Sequence, residues 1–460
     1  MALGRVLLSL VLWLGLYNAD ALSLDLEGLK DQAVAQITGP KLMDIFDHLA
    51  TYSSTTRPGI TRLVFTHHDM EAREYIKGLM KEAGLTIRED VMGNTFGRWE
   101  GSDPKAGTVM SGSHSDTVKM GGPYDGALGA IGAIAALKFL RDVGFKPVKS
   151  MEAIMFTTEE ASRYSVPCLG SQGMTGFLDP TVLDEYKDDN GSTFREAANA
   201  VGFTAATAKE YAEKALLKDP ENIAAFVELH IEQGPHLEAE KKDIGIVEAI
   251  MAPALLRVEF TGRGGHGGGM PMSHRNDPAL AASELALLNE KITLATGADE
   301  SVSTFGLWNI TPNFYNAVPR SVRVDIDIRD SDKERRDGII TQTLEGAEKI
   351  AKHRKCGYTG GVQWQYPIAT SNKKILDAIQ QSADALGAST KRMVSRPYHD
   401  AAFMAQIAPA AMIFVPSKDG LSHHPNEHTA PDDLARGVQT LALTLAQLAG
   451  SGGTSDKSEL

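Results

Sequence analysis

Cysteine is scarce in this chain of 460 residues: Cys168 and Cys356 are the only two, far apart in the sequence. That excludes a disulfide scaffold and any thiolate-rich zinc or iron–sulfur site. Basic residues are outnumbered, 46 Lys plus Arg against 59 Asp plus Glu, for a formal net charge of −13. With no basic run, the chain is a poor nucleic-acid binder. Beyond the first residues no stretch reaches the roughly 18 uninterrupted apolar residues of a membrane span. Neither an internal repeat nor a long low-complexity segment is evident. What is present is ordinary globular composition, 42% apolar and 23% charged. The length exceeds one domain of ~150 residues, and the chain reads as a globular enzyme.

The two ends read as addresses. Arg5 precedes the apolar run Val6 to Tyr17, and Ala19-Asp20-Ala21 offers small residues at cleavage positions. This three-part layout predicts a signal peptide over 1–21, with an uncleaved anchor as the alternative. The chain ends Lys457-Ser458-Glu459-Leu460, which resembles a KDEL-type retrieval signal with Ser458 in place of Asp. A chance tail is the alternative reading. Together the ends predict the secretory pathway, with the endoplasmic reticulum lumen as the destination. Asn190-Gly191-Ser192 and Asn309-Ile310-Thr311 match the glycosylation triplet, a weak signal.

Between the ends, residues 70–83 place Ala72, Tyr75, Ile76, Leu79, Met80 and Ala83 on one helical face before Gly84. Thr108-Val109-Met110 reads as a short buried strand that breaks into Ser113-His114-Ser115-Asp116. A Gly/Ala-rich helix follows over 127–143, then a buried strand at 153–156 ending in Thr157-Thr158-Glu159-Glu160. Strands alternating with helices predict a largely parallel α/β sheet with ligands at the strand ends. After about 245 the pattern changes. Leu256, Val258 and Phe260 alternate with polar residues, as do Val322, Val324, Ile326 and Ile328, the habit of an antiparallel sheet with one face covered. Helices are predicted at 278–295 and 332–354, and the α/β rhythm returns from Gly361 with a helix at 372–386 and a strand at 410–415. The expected organisation is a catalytic α/β domain over 22–246 and 359–448, an inserted α+β domain over 247–358, and a tail over 449–460.

Potential metal ligands gather at these strand ends. His114 and Asp116 lie two apart after one strand, and Asp125 stands in Tyr124-Asp125-Gly126 before a helix. Glu159-Glu160 ends the next strand, and His230 lies in Glu228-Leu229-His230-Ile231-Glu232-Gln233-Gly234. Ser422-His423-His424-Pro425-Asn426-Glu427 follows the last apolar strand. Imidazole and carboxylate without thiolate suit Zn, Mn or Co. Singly, a His-x-Asp is more often a structural hydrogen bond and adjacent glutamates are usually solvated. Five such elements at successive strand ends are much less expected by accident.

These segments, with 62–98 (including Ala83-Gly84-Leu85 and Gly93-Asn94), Cys168-Leu169-Gly170, Gly264-Gly265-His266 and Asp400, resemble the dinuclear-metal aminoacylase/carboxypeptidase family, in the branch that cleaves ureido groups. The resemblance spans roughly 30–448. It implies that His114 and His230 bind one metal ion, Glu160 and His423 the other, and that Asp125 bridges them. Asp116 matches the carboxylate that orients His114. Glu159 matches the general base that takes a proton from the attacking water and returns it to the leaving nitrogen. Two divalent ions are implied, manganese first, with Zn, Co or Ni acceptable to the same ligands.

The inserted domain resembles the family's lid and dimerisation domain, which implies a homodimer. His266 would reach the partner subunit's site and stabilise the oxyanion; a turn with an incidental histidine is the alternative. Asn316 and Arg329 match residues that hold a substrate carboxylate, although Arg329 shares a polar strand face with Arg323, Asp325 and Asp327 and also reads as a salt-bridged surface arginine. Gln233 and His399 match positions that grip the ureido group. Within the branch, Ser395-Arg396-Pro397-Tyr398-His399-Asp400 resembles the ureidoglycolate-cleaving group, which in plants also enters the endoplasmic reticulum. Tyr398 would shorten the pocket against allantoate, or simply pack in the core. Ala161, where many relatives have proline, and the extra glycines Gly267-Gly268-Gly269 depart from the pattern without removing a ligand. The implied reaction is hydrolysis of a small ureide, ureidoglycolate first, in purine-ureide breakdown, with allantoate or an N-carbamoyl-L-amino acid as alternatives. A non-catalytic metal-binding protein of the same fold would show a lost ligand or a lost Glu159, and neither is lost.

Overall fold

The computed structural model describes residues 26–450, so the expected leader and retrieval tail lie outside the described residues. Two main sheets organise the chain. The larger has nine strands, and its centre runs Ser150–Phe156, Thr108–His114, Ile223–Ile231, Ala410–Val415, all mutually parallel. Antiparallel strands extend it on both sides, Thr95–Trp99 and Thr86–Glu89 on one, Ile244–Ile250 on the other. The central strands are buried along almost their whole length, which explains why they read as continuous apolar runs rather than alternating ones.

Helices cover both faces. Ala127–Asp142 is packed almost wholly inside the protein, against Pro431–Gly450 and the strands beneath. Its small residues permit this: a Cβ on Gly129 would lie 2.4 Å from the Leu229 carbonyl. The amphipathic helix read at 70–83 runs His67–Glu82, started by Thr66, whose hydroxyl accepts from the Asp69 amide.

The strand beginning at Thr108 does not break at Ser113. It continues through Ser111, Gly112 and Ser113 to His114, all buried. Small residues are required because a Cβ on Gly112 would lie 1.9 Å from the Ile154 carbonyl, and the Ser113 hydroxyl is satisfied by Glu228 at 2.7 Å. The imidazole thereby sits on the last residue of the strand.

The second sheet is antiparallel, in the order Gly357–Gln365, Ala252–Thr261, Ser321–Asp330, Val302–Thr311. Along Ser321–Asp330 burial alternates strictly, and Val322, Val324, Ile326 and Ile328 are fully covered under helices Pro278–Leu294 and Lys333–Arg354. Each such side chain contributes about 1.5–3 kcal/mol. The antiparallel unit is placed differently from the expected 247–358: Ile244–Ile250 belongs to the large sheet and Gly357–Gln365 to the small one, so the unit spans 252–365. Gly357–Gln365 escapes detection because it is a largely exposed edge strand carrying Gly357, Gly360 and Gly361. It therefore lacks the alternation that a half-buried strand imposes.

Candidate metal centre and active site

His114, Asp125, Glu159, Glu160, His230 and His423 converge at the C-terminal ends of the parallel strands, where open α/β sheets leave a crevice. Asp125 is the hub. Its Oδ1 lies 3.3 Å from His230 Nε2 and 3.9 Å from His114 Nε2; its Oδ2 lies 3.2 Å from His423 Nε2, which is also 3.2 Å from Glu160 Oε1. Two triads result, His114–Asp125–His230 and Asp125–Glu160–His423, with Asp125 shared.

The donors fit divalent ions. Ligand atoms about 2.1 Å from a tetrahedral ion are roughly 3.4 Å apart, close to the spacing found here. The tautomers agree. His114 Nδ1 faces the Asp116 carbonyl at 3.0 Å and His230 Nδ1 the Ile231 carbonyl at 2.9 Å, so each Nδ1 carries the proton and each Nε2 turns its lone pair into the cluster around Asp125, where His230 Nε2 also accepts from the Gly126 amide at 3.1 Å. Lone pairs and carboxylates facing one another call for positive charge between them. Protons feel the same field: hydrogen bonds to Asp125 and Glu160 push His423 up to about 11. Burial opposes the charged form of His230, but Asp125 outweighs it and raises that ring to about 9. His114, farther from Asp125, is governed by burial and falls to about 4.

A third group, Glu228–His230–His399, is already satisfied. Glu228 accepts from the Ser113 hydroxyl and the Ala401 amide, His399 Nε2 meets the Ser395 hydroxyl at 2.8 Å, and the His399 ring stands edge-on to His230 at 4.5 Å. It backs His230 rather than forming another site.

The Asp116 carboxylate stands within ion-pair reach of His114 but does not make the hydrogen bond to it. The Asp116 carbonyl orients the ring, while the carboxylate, 3.8 Å from Nδ1, accepts from the amides of Glu159 and Glu160 at 3.4 and 3.2 Å. The carboxylate faces the loop after the neighbouring strand, so it positions the glutamate pair. Burial, then the nearby Glu160 and Asp69 charges, raise it to about 8. Glu159 is held well above the ordinary carboxylate range by burial and by Glu160 and Asp400. Its Oε2 lies 3.6 Å from His114 Nε2.

Substrate candidates divide. Gln233 and Arg329 line one cleft of about 440 Å³ with Val302, Arg396, Ser422 and His423, between the two sheets. Gln233 Nε2 donates to Asp125 Oδ2 at 2.8 Å, which leaves Oε1 buried without a partner. Arg329 is bound through Nε and Nη2 to Asp327, both at 2.9 Å, so the salt bridge and the cleft position coexist. Tyr398 and His399 do not line that cleft. Tyr398 stacks on Tyr366 and donates to the Pro367 carbonyl at 2.9 Å, and His399 is 2% exposed. His266 and Asn316 are exposed and outside the cleft, on paired segments joined where the Gly267 amide donates to the Asn316 carbonyl at 2.6 Å.

Three residues were not singled out by sequence. Ser422 donates to Asp125 Oδ2 at 2.6 Å, Glu427 accepts from the amides of Tyr124 and Asp125 at 2.9 and 3.1 Å, and Arg396 lines the cleft. Ser422 and Glu427 flank His423 and Arg396 adjoins Tyr398 within the quoted segments, but nothing in their spacing marks them.

A sequence profile of Peptidase family M20/M25/M40 matches residues 101–447. The chain is 44% identical over 404 residues to the ureidoglycolate hydrolase of Oryza sativa subsp. japonica, covering 87% of this chain and 83% of that one. It is 42% identical over 433 residues to the ureidoglycolate hydrolase of Arabidopsis thaliana, covering 94% and 88%. Among solved structures it is similar to AtUAH in complex with glyoxylate and in complex with (S)-hydroxyglycine. Each is 42% identical and covers 91% of this chain and 99% of that one, with a TM-score of 0.77.

Proposed function

The chain belongs to peptidase family M20/M25/M40, and from that premise we propose that it hydrolyses the ureido C–N bond of ureidoglycolate, yielding ammonia, carbon dioxide and, through 2-hydroxyglycine, glyoxylate and a second ammonia. The similarity to two plant ureidoglycolate hydrolases over most of their length supports the substrate. One observation carries the chemistry: Asp125 presents one oxygen to each of two ligand groups while Glu159 stands beside them as a carboxylate of raised proton affinity.

His114, His230, Glu160, His423 and the shared Asp125 would hold two divalent ions, manganese by preference. Such ions polarise a carbonyl and acidify water. Glu159 takes a proton from the attacking water and returns it to the leaving nitrogen. Asp116 fixes the Glu159–Glu160 turn through their amides. Gln233 offers its unpaired Oε1 to an N–H of the ureido group, a contact an analogue lacking that N–H leaves unmade. Arg329, with Nη1 beyond its Asp327 fork, takes the substrate carboxylate; Asn316, on the exposed ribbon beside His266, would join it only from across the dimer proposed below. The spent fork of Arg329 and the buried ring of His399 are arrangements that lid closure would have to change before either touches substrate.

The second part of the reading is a homodimer in which His266 of one subunit serves the other's site. Among the described residues the edge strand Val302–Thr311 has no strand on one side, and it exposes Leu307 and Trp308, a surface that another strand completes. His266 Nδ1 accepts from the Gly268 and Gly269 amides, so the neutral ring keeps Nε2–H as a free donor for an oxyanion. The third part is entry into the secretory pathway through residues 1–21 and retention in the endoplasmic reticulum, supported by the layout of both ends. No helix among the described residues is long and apolar enough to cross a membrane.

The test is ammonia release by metal-stripped, manganese-reconstituted protein given ureidoglycolate, allantoate and an N-carbamoyl amino acid in parallel. Turnover of ureidoglycolate alone is expected. Preference for either other compound would keep the chemistry and overturn the substrate.

A further inference from the structure

We propose that Cys168 is a positioning residue for the reaction, its thiol and backbone amide clamping Glu159 at both ends. The inference rests on the reading of Glu159 as general base. Cys168 is wholly buried, yet it does not sit among apolar neighbours alone. Its S–H donates to Glu159 Oε1 at 3.4 Å, and its N–H donates to the Glu159 carbonyl at 2.9 Å. The next two amides continue the same ladder: Leu169 donates to the Thr158 carbonyl and Gly170 to the Thr157 carbonyl, each at 2.9 Å. Three consecutive backbone bonds thus tie the start of helix Leu169–Thr175 to the chain that leaves strand Ser150–Phe156.

The backbone is bent to make this meeting possible. Thr158 and Cys168 both have positive φ, 57° and 56°, a conformation that residues with side chains adopt uncommonly. One lies immediately before Glu159 and the other closes the loop behind it. The result divides the work of the carboxylate. Oε2 points to the ligand cluster, 3.6 Å from His114 Nε2, while Oε1 is held by the thiol.

A thiol suits this task chemically. A proton shuttle must be aimed, but a strong donor to one oxygen would stabilise the anion and weaken it as a base. A thiol is a weak donor, so it restrains the rotation of the carboxylate while leaving its proton affinity to the surrounding burial and charges. A carboxylate held this way needs no search for the attacking water, and misplacement by an ångström is costly to rate.

Wild type, Cys168→Ala, Cys168→Ser and Glu159→Gln, each reconstituted with manganese, should be compared for kcat and KM on ureidoglycolate, bound metal and thermal midpoint. Cys168→Ala is expected to lower kcat roughly tenfold or more at unchanged KM, metal content and midpoint. Cys168→Ser is expected to recover part of that loss: its hydroxyl restores a donor to the same oxygen, but a stronger one that also weakens the base. Full kcat in Cys168→Ala beside an inactive Glu159→Gln would overturn the clamp and leave the general base standing. A Cys168→Ser variant as slow as Cys168→Ala, or kcat losses that follow the thermal midpoint, would make Cys168 a packing residue. An active Glu159→Gln would remove the premise and the clamp with it.

Discussion

Gly126 and His114 are in such close register that a Cβ on the glycine would lie 2.2 Å from the imidazole Nε2. The same residue has φ +65° and donates its amide to His230 Nε2 at 3.1 Å. One glycine therefore sets the gap between the two histidines of one triad, directly after the shared carboxylate. Gly126→Ala puts a side chain at positive φ and against a buried ring, so it should lower the thermal midpoint and displace the His114 ring. In manganese-reconstituted protein the expected outcome is a fall in bound metal by one ion of the proposed pair in elemental analysis, with turnover at least a hundredfold lower. Two retained ions would mean that the ring finds another route to the metal.

Divalent metal should act as part of the fold. Asp116, Asp125, Glu160, Glu228, Asp400 and Glu427 are buried together, and burial alone disfavours so many ionised carboxyls. An ion that binds only the folded chain stabilises it by about 3 kcal/mol at a hundredfold excess over its Kd. Calorimetry should show the midpoint falling on chelation and rising with added manganese. In Asp125→Asn, which weakens both triads at once, that dependence should largely disappear. A midpoint indifferent to chelation in the wild type would refute the coupling.

Much of this was legible in the sequence, and the reasons differ by element. Ser321–Asp330 announces itself because one covered face forces strict alternation. The ligands stand out because parallel strands end on the same edge, so residues far apart in number become neighbours. Gly357–Gln365 was hidden since an edge strand with little burial imposes no pattern. The role of the Asp116 carboxylate was hidden for another reason: its partners are backbone amides 43 and 44 residues away, and an amide leaves no mark in side-chain identity. Glu427 is alike in this, accepting from the Asp125 amide, while Ser422 meets the Asp125 carboxylate side chain to side chain only when the loop after Ala410–Val415 folds over it.

Arg73 predicts the behaviour of the support behind the site. It is 1% exposed; its Nε binds Asp69 at 2.8 Å, Nη1 the Gly93 carbonyl at 2.6 Å, and Nη2 the Thr157 hydroxyl at 3.1 Å, two residues before Glu159. Arg73→Met leaves Asp69 charged and buried, which should cost about 3–5 kcal/mol in urea unfolding. The double variant Asp69→Asn/Arg73→Met should recover part of that loss, because no unpaired charge remains. A double variant worse than the sum of the singles would contradict this account.

The shared-site reading makes a quantitative prediction about mixed dimers. His266 lies on a short exposed ribbon outside the cleft of its own chain, with its Nδ1 occupied by backbone amides and Nε2–H free. If that donor serves the partner's site, His266→Ala and Glu159→Gln disable different halves of each active centre. A mixed dimer then contains one site lacking both groups and one site that is complete. Random reassortment of equal amounts makes about half the dimers mixed, so about a quarter of wild-type turnover should return from two inactive parents. Differently tagged subunits, purified through both tags, isolate the mixed species and should show about half of wild-type turnover. Verified mixed dimers without activity would place His266 outside the partner's chemistry, and activity in His266→Ala alone would remove it from the reaction.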